Sequence, residues 1–227
     1  MSQQMPLKLP KSTLYRAEDY RVGTANAQAH GLITSWPHWP AGHLAVIGPT
    51  GSGKTHLAYM LADATGGHLC AAAGLRLDDL HEAQTALILD DLHQGVDEDT
   101  LFHALNRPQP VVMMSAEPLG ALPVQLPDLR SRLQAAYVVA LGLPDDDLMT
   151  ALLHQAFRAR HHRADAGLIG YMLPRIERGY AAVDDLVEEI VTASLQQNRP
   201  INRGLVREIL EPNLQFDETS LSPDVLE

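Results

Sequence analysis

The chain has 227 residues, is 45% hydrophobic and carries a net charge of −11, with 28 acidic against 17 basic side chains. That length holds one large domain or a core domain with a smaller partner. The acidic balance excludes a broad basic surface for gripping nucleic acid, because phosphate neutralisation depends on Lys and Arg.

Residues 1–12, with Pro6 and Pro10, read as an extended arm. No signal-peptide core follows and no apolar run reaches spanning length, so a cytoplasmic protein without membrane association is expected. A helix is predicted over about 24–36 and is ended by Trp36-Pro37-His38-Trp39-Pro40. Five short apolar runs then alternate with longer helical stretches: Leu44–Ile47, His68–Ala72, Ala86–Leu89, Val111–Ser115 and Tyr137–Ala140. Alternation of this kind indicates a parallel sheet covered on both faces, and assigns 13–142 to one α/β domain. The lone cysteine, Cys70, excludes an internal disulfide and reads as an apolar filler of a buried strand.

The pattern changes near Gly142-Leu143-Pro144-Asp145. Residues 143–211 read as a small helical domain, with one helix opening at Asp145–Asp147, where acidic groups suit an N-terminus. Others are expected over Asp165–Ile176, shortened or kinked by Pro174, then Val183–Leu195 and Leu205–Leu210. The densest basic stretch, Arg158 to Arg163, falls in a helical pattern and reads as a solvated face. Residues 212–227 form an acidic tail. The eleven histidines offer no metal-ligand spacing, so magnesium is the one metal expected.

Gly48-Pro49-Thr50-Gly51-Ser52-Gly53-Lys54-Thr55 matches the P-loop pattern G-x-x-x-x-G-K followed by Ser or Thr at every fixed position. It follows one predicted strand and opens a helix at His56, the context that the motif requires. Its backbone N–H groups would converge on phosphates of ATP or ADP at a helix N-terminus. Lys54 would reach the terminal phosphates and Thr55 would hold Mg²⁺. The apolar run ending in Asp90-Asp91 supplies the second half: Asp90 holds the magnesium through water and Asp91 polarises an attacking water.

Together with a Ser-ended strand and a helical lid, these motifs resemble the AAA+ ATPases, and among them the DnaA/Hda family, Hda-type regulators most closely. Three segments carry the finer likeness, which covers about residues 3–211. Leu126-Pro127-Asp128-Leu129-Arg130-Ser131-Arg132-Leu133 is similar to the family's arginine-finger segment. Val111 to Pro118 is similar to its sensor 1 strand, with Ser115 toward the nucleotide. Gln4-Met5-Pro6-Leu7-Lys8-Leu9 is similar to the motif that docks on the DNA polymerase sliding clamp (β subunit), where Gln4, Met5, Leu7 and Leu9 would make the contacts.

The resemblance implies a five-stranded AAA+ sheet with nucleotide between it and the lid. It also implies that Arg132, favoured over Arg130 by its Ser-Arg-Leu context, acts in trans on a nucleotide held by a neighbour. The segment Asp19 to Asn26 is similar to the part of the family that wraps adenine, which makes Tyr20 and Val22 either base contacts or ordinary core residues. Two positions depart from the family pattern. Ala116 follows Ser115 where a polar residue is usual, and Ala181 and Ala182 stand where a sensor 2 arginine is expected, leaving Arg178 as the nearest substitute. Slow intrinsic hydrolysis is therefore expected.

About sixteen residues follow Glu211, so no DNA-reading domain, and no sequence-specific DNA binding, is expected. The function implied is clamp-dependent stimulation of hydrolysis of DnaA-bound ATP, which would prevent re-initiation; self-association is compatible with an AAA+ core. The alternative is an adaptor or helicase loader in which nucleotide sets only the shape.

Overall fold

The structure is a computed structural model that describes residues 15–36, 38–39 and 42–211. The predicted clamp contacts Gln4, Met5, Leu7 and Leu9 lie outside the described residues, as does the acidic tail. The chain divides into two compact units, Met1–Leu148 and Met149–Glu227.

In the first unit, strands β1 (Leu44–Ile47), β2 (His68–Ala71), β3 (Leu87–Asp90), β4 (Val111–Ser115) and β5 (Tyr137–Ala140) form one parallel sheet. Their order is β2-β3-β4-β1-β5, so β4 is inserted between the strand leading to the glycine loop and the strand ending in Asp90. Helices α1 (Ala27–Thr34), α2 (Lys54–Thr65), α3 (Leu77–Glu82), α4 (Glu98–Leu105) and α5 (Pro127–Ala135) accompany the sheet.

Period-2 alternation sorts the strand side chains into two cores. Ala45, Leu87, Leu89, Val111 and Met113 meet Leu80, Leu101 and Leu129 from α3, α4 and α5. Leu44, Val46, Ile88, Val112 and Met114 meet Ile33, Leu57 and Leu61 from α1 and α2. Both faces are therefore covered, which is why β1, β3 and β4 read as unbroken apolar runs. Strand β2 is different. It pairs only with β3, and its side chains from His68 to Cys70 are half-buried, so Cys70 lies on an edge strand and not in a fully buried one.

The second unit holds most of α6 (Asp146–Ala159), with α7 (Ala166–Met172), α8 (Tyr180–Gln197) and α9 (Arg203–Leu210). The side chains of Asp165 and Asn202 cap α7 and α9 by accepting the N–H groups of Leu168 and Leu205. Pro174 lies in a 3₁₀ turn, Leu173–Arg175, just after α7, which accounts for the predicted shortening.

The basic stretch 158–163 corrects the sequence reading, because only its first two residues are helical. His161 adopts φ 61°, while His161 N–H donates to Arg158 O and His162 N–H to Phe157 O. This is a left-handed helix stop that uses up the last carbonyls of α6. Among the described residues, no helix is long and apolar enough to cross a membrane.

Candidate nucleotide-binding site

The loop between β1 and α2 is shaped by glycine for two distinct reasons. Gly51 and Gly53 have φ of 79° and 96°, which side-chain-bearing residues adopt only with strain. Gly48 is required for space: a methyl group there would stand 2.6 Å from the Leu141 carbonyl oxygen and 2.8 Å from Leu141 Cβ. The loop passes directly into α2, whose first-turn N–H groups have no intrahelical acceptor and mark the positive end of the helix dipole.

Lys54 is 6% exposed, and its ammonium donates to the carbonyls of Gly48 at 2.7 Å and Pro49 at 2.9 Å. Burial lowers its pKa, opposed by the nearby charges of Asp90 and Asp91. Thr55 Oγ1 donates to Asp90 Oδ2 at 2.8 Å, which joins the loop to the end of β3. Asp90 Oδ1 accepts the Asp91 N–H at 3.0 Å. Burial raises the pKa of Asp90, with the Thr55 hydrogen bond pulling the other way. Asp91 is left-handed at φ 55° and starts the 3₁₀ turn Leu92–Gln94.

That turn presents His93, which the sequence reading did not single out. Its Nδ1 accepts the Ala116 N–H at 3.2 Å and so ties the Asp90-Asp91 end of β3 to the end of β4. No local sequence signal marks this contact, since the partners are 23 residues apart.

Other predicted residues are placed less directly. Ser115 is fully buried; its hydroxyl donates to Glu117 O at 2.6 Å and accepts Glu117 N–H at 3.1 Å, so it closes a local turn. The His56 side chain donates Nε2–H to Arg16 O at 2.8 Å and packs edge-on against Tyr15 and Tyr20. Its contribution to the loop is therefore its backbone. Tyr20 is 5% exposed in the core and stacks on His30, whereas Val22 is 51% exposed. Tyr20 thus packs as a core residue, and Val22 is exposed.

The two arginines of α5 differ in how they are held. Arg130 donates to the Val124 carbonyl. Arg132 is exposed, with its guanidinium 5.4 Å from the centre of the Phe102 ring. Phe102 lies in α4, and the carbonyl of Leu105 at the end of that helix meets Nε2 of His43, which immediately precedes β1, whereas the glycine loop follows β1. A strand of four residues separates those ends by ~13 Å at ~3.3 Å per residue. The start of α5 is fixed by Glu98, whose carboxylate accepts the N–H groups of Gln125 and Leu126. In the second unit, Arg178 is exposed and lies two residues before α8, while Ala181 and Ala182 occupy the first turn of that helix.

No protein-family model and no curated protein matches the chain. Solved structures do. Domain III of the replication initiation protein DnaA from Thermotoga maritima matches with TM-score 0.71 at 16% identity, over 87% of this chain and 95% of that one. The AMPPCP-bound DnaA of Aquifex aeolicus matches with TM-score 0.65 at 17% identity, over 80% and 66%. The Thermotoga maritima RuvB Holliday junction branch migration motor matches with TM-score 0.63 at 19% identity, over 75% and 61%. The chain thus spans less than two thirds of the RuvB motor. The identities are low and the shared property is the fold. This chain has the AAA+ P-loop NTPase fold, a parallel five-stranded sheet with flanking helices.

Proposed function

We propose that this chain is an AAA+ regulator of replication initiation that binds ATP or ADP and supplies Arg132 in trans to ATP held by DnaA. One observation carries the reading. Arg132 is an exposed cation resting on Phe102 of α4, a helix whose last carbonyl meets His43 ahead of β1 and not the glycine loop after it, and the neighbouring Arg130 is already tied to a carbonyl. A cation so placed would be offered outward, to a nucleotide held by a neighbour.

Nucleotide would sit on Gly48–Thr55, with the phosphates on the loop N–H groups and on Lys54 after it exchanges the Gly48 and Pro49 carbonyls for phosphate oxygens. Thr55 and Asp90 offer two hard oxygens already side by side, a donor set that fits Mg²⁺. The ion supplies charge neutralisation at the phosphates. Asp91 would orient a water, Val22 would touch the base, and Arg178 would take the place of the absent cation of α8. With Ser115 engaged by Glu117 and alanines at 116, 181 and 182, intrinsic hydrolysis is slow, and bound nucleotide acts as a switch. The helical unit would serve as a lid, and Gln4, Met5, Leu7 and Leu9 would bring the protein to the sliding clamp.

The test measures hydrolysis of DnaA-bound ATP with clamp loaded on DNA, comparing intact protein with Arg132→Ala and with a Gln4→Ala, Leu7→Ala, Leu9→Ala variant. The expected result is stimulation by the intact protein, loss of stimulation with retained clamp binding for Arg132→Ala, and loss of clamp binding for the triple variant. Unchanged stimulation by Arg132→Ala would refute the finger. Clamp binding without any stimulation would favour the adaptor or loader.

A further inference from the structure

Outside the nucleotide site, the edge of the sheet gathers a second set of chemistry-bearing side chains. His68 and Cys70 are two residues apart on β2 and so point to the same face, while Leu69 between them packs into the opposite core. That face is met by α3, which contributes Asp79 and, one turn later, Glu82. His68 Nε2 lies 2.8 Å from Asp79 Oδ1, and one ligand atom each from His68, Cys70 and Asp79 lie within 4.8 Å of one another. All three residues are half-buried.

We infer that His68, Cys70 and Asp79 form a site for one zinc-class divalent cation, unrelated to the magnesium of the glycine loop. The donor set of one imidazole nitrogen, one thiolate and one carboxylate oxygen is of the borderline-soft kind that selects zinc over magnesium or calcium. At tetrahedral bond lengths of ~2.0–2.3 Å the ligand atoms stand roughly 3.3–3.8 Å apart. The His68–Asp79 pair therefore opens slightly and the sulfur closes in, shifts within the reach of side-chain rotation. Three protein ligands leave the fourth position to water.

The surroundings already hold the ligands in place. Glu82 Oε2 lies 3.2 Å from His68 Nδ1, the ring nitrogen turned away from Asp79. With an ion on Nε2, Glu82 would complete a carboxylate–histidine–metal arrangement that orients the ring. Asp79 Oδ2 accepts the Arg76 N–H at 2.7 Å, and Oδ1 is hydrogen-bonded to His68 Nε2, a contact that an ion between the two would replace. A bound ion would pin α3 onto the edge strand, one residue before Ala71, which pairs with Asp90.

The experiment titrates chelator-treated full-length protein with CoCl₂, followed by optical absorption, and with ZnCl₂, followed by calorimetry and thermal shift. The expected outcome is one equivalent bound with a thiolate-to-cobalt charge-transfer band, no such band in Cys70→Ser, and affinity about 10- to 100-fold weaker in Glu82→Gln. Glu82→Gln changes an exposed side chain, and circular dichroism would verify that both variants are folded. Absence of stoichiometric binding to the wild type would overturn the site. So would equal binding by wild type and Cys70→Ser, which would place the ion on other histidines. Neither result bears on the glycine loop, whose nucleotide affinity is measured separately.

Discussion

Lys54 and Arg132 stand at opposite ends of strand β1, and the protein holds them in opposite ways. Lys54 is buried and donates to two carbonyls of its own loop, which hold its ammonium at the loop until phosphate oxygens replace them. Arg132 is exposed and leans on the flat face of Phe102. The first arrangement suits a compact ammonium serving a site built by its own chain. The second suits a planar cation offered outward, since a guanidinium on an aromatic face keeps its hydrogen-bonding fork available. The contrast is between a cation satisfied by its own loop and one held only by an aromatic face.

Breaking the outward cation has the largest expected effect. Arg132→Ala should reduce stimulated hydrolysis of DnaA-bound ATP by ~10³ to 10⁵, with the chain's own nucleotide affinity unchanged. Arg132→Lys sharpens the point: it should remain strongly impaired, because a point charge does not replace the planar fork. At the inward cation, Lys54→Ala should weaken ATP or ADP binding by roughly 10- to 150-fold, the value of a charge-assisted hydrogen bond, read by calorimetry. Lys54→Arg should also be impaired, because a planar fork does not replace a compact point charge at the phosphates.

Smaller effects test the supports. Gly48→Ala should cost about 1–3 kcal/mol in denaturant melts through collision with Leu141, and should impair nucleotide binding as well. Glu98→Ala should cost about 1 kcal/mol and reduce trans stimulation without touching nucleotide affinity, because it frees the start of α5.

Acidity separates the two ends once more. The raised pKa of Asp90 means that Mg²⁺-dependent nucleotide binding should weaken, as pH falls, at a higher pH than an ordinary carboxylate would dictate. Asp90 contributes to stability while protonated, and that contribution fades as pH rises through its folded value. Asp90→Asn should therefore equal wild type in strong acid and slightly exceed its stability at neutral pH. His43 works in the opposite sense. Its Nδ1 accepts the Val111 N–H, and Nε2 donates to Leu105 O, so only the neutral ring fits. Burial lowers its pKa, and stability present above the ordinary histidine value is lost as pH falls through it. Thermal melts across that range should show a step that is absent in a folded His43→Gln variant.

Much of this was legible in the sequence, for a physical reason. The loop Gly48–Thr55 and the pair Asp90-Asp91 are local patterns whose chemistry depends on adjacent residues, and each strand appears where an apolar run is bounded by turn residues. Strand boundaries shifted by a residue, as at β3, which takes in Asp90. What remained hidden depends on long-range packing. Strand order determines that β2 is an edge and Cys70 only half-buried. The hydrogen bond from Ala116 to His93 joins turns from different strands. The helical stop at His161 overrides a helical pattern because its carbonyls are satisfied locally. The cluster of His68, Cys70 and Asp79 escaped for the same reason, since one helix and one strand must fold together before those ligands meet.

The close fit of Gly48 against Leu141 has a mechanical consequence. Leu141 N–H is bonded to Ile47 O, Gly142 N–H to Ala25 O, and the Thr24 hydroxyl to the Asp145 carboxylate. The segment leaving β5 is thus riveted at successive points, and its first rivet touches the first glycine of the loop with no slack between them. A ligand that pushed the loop toward Leu141 would therefore have to move that segment as well.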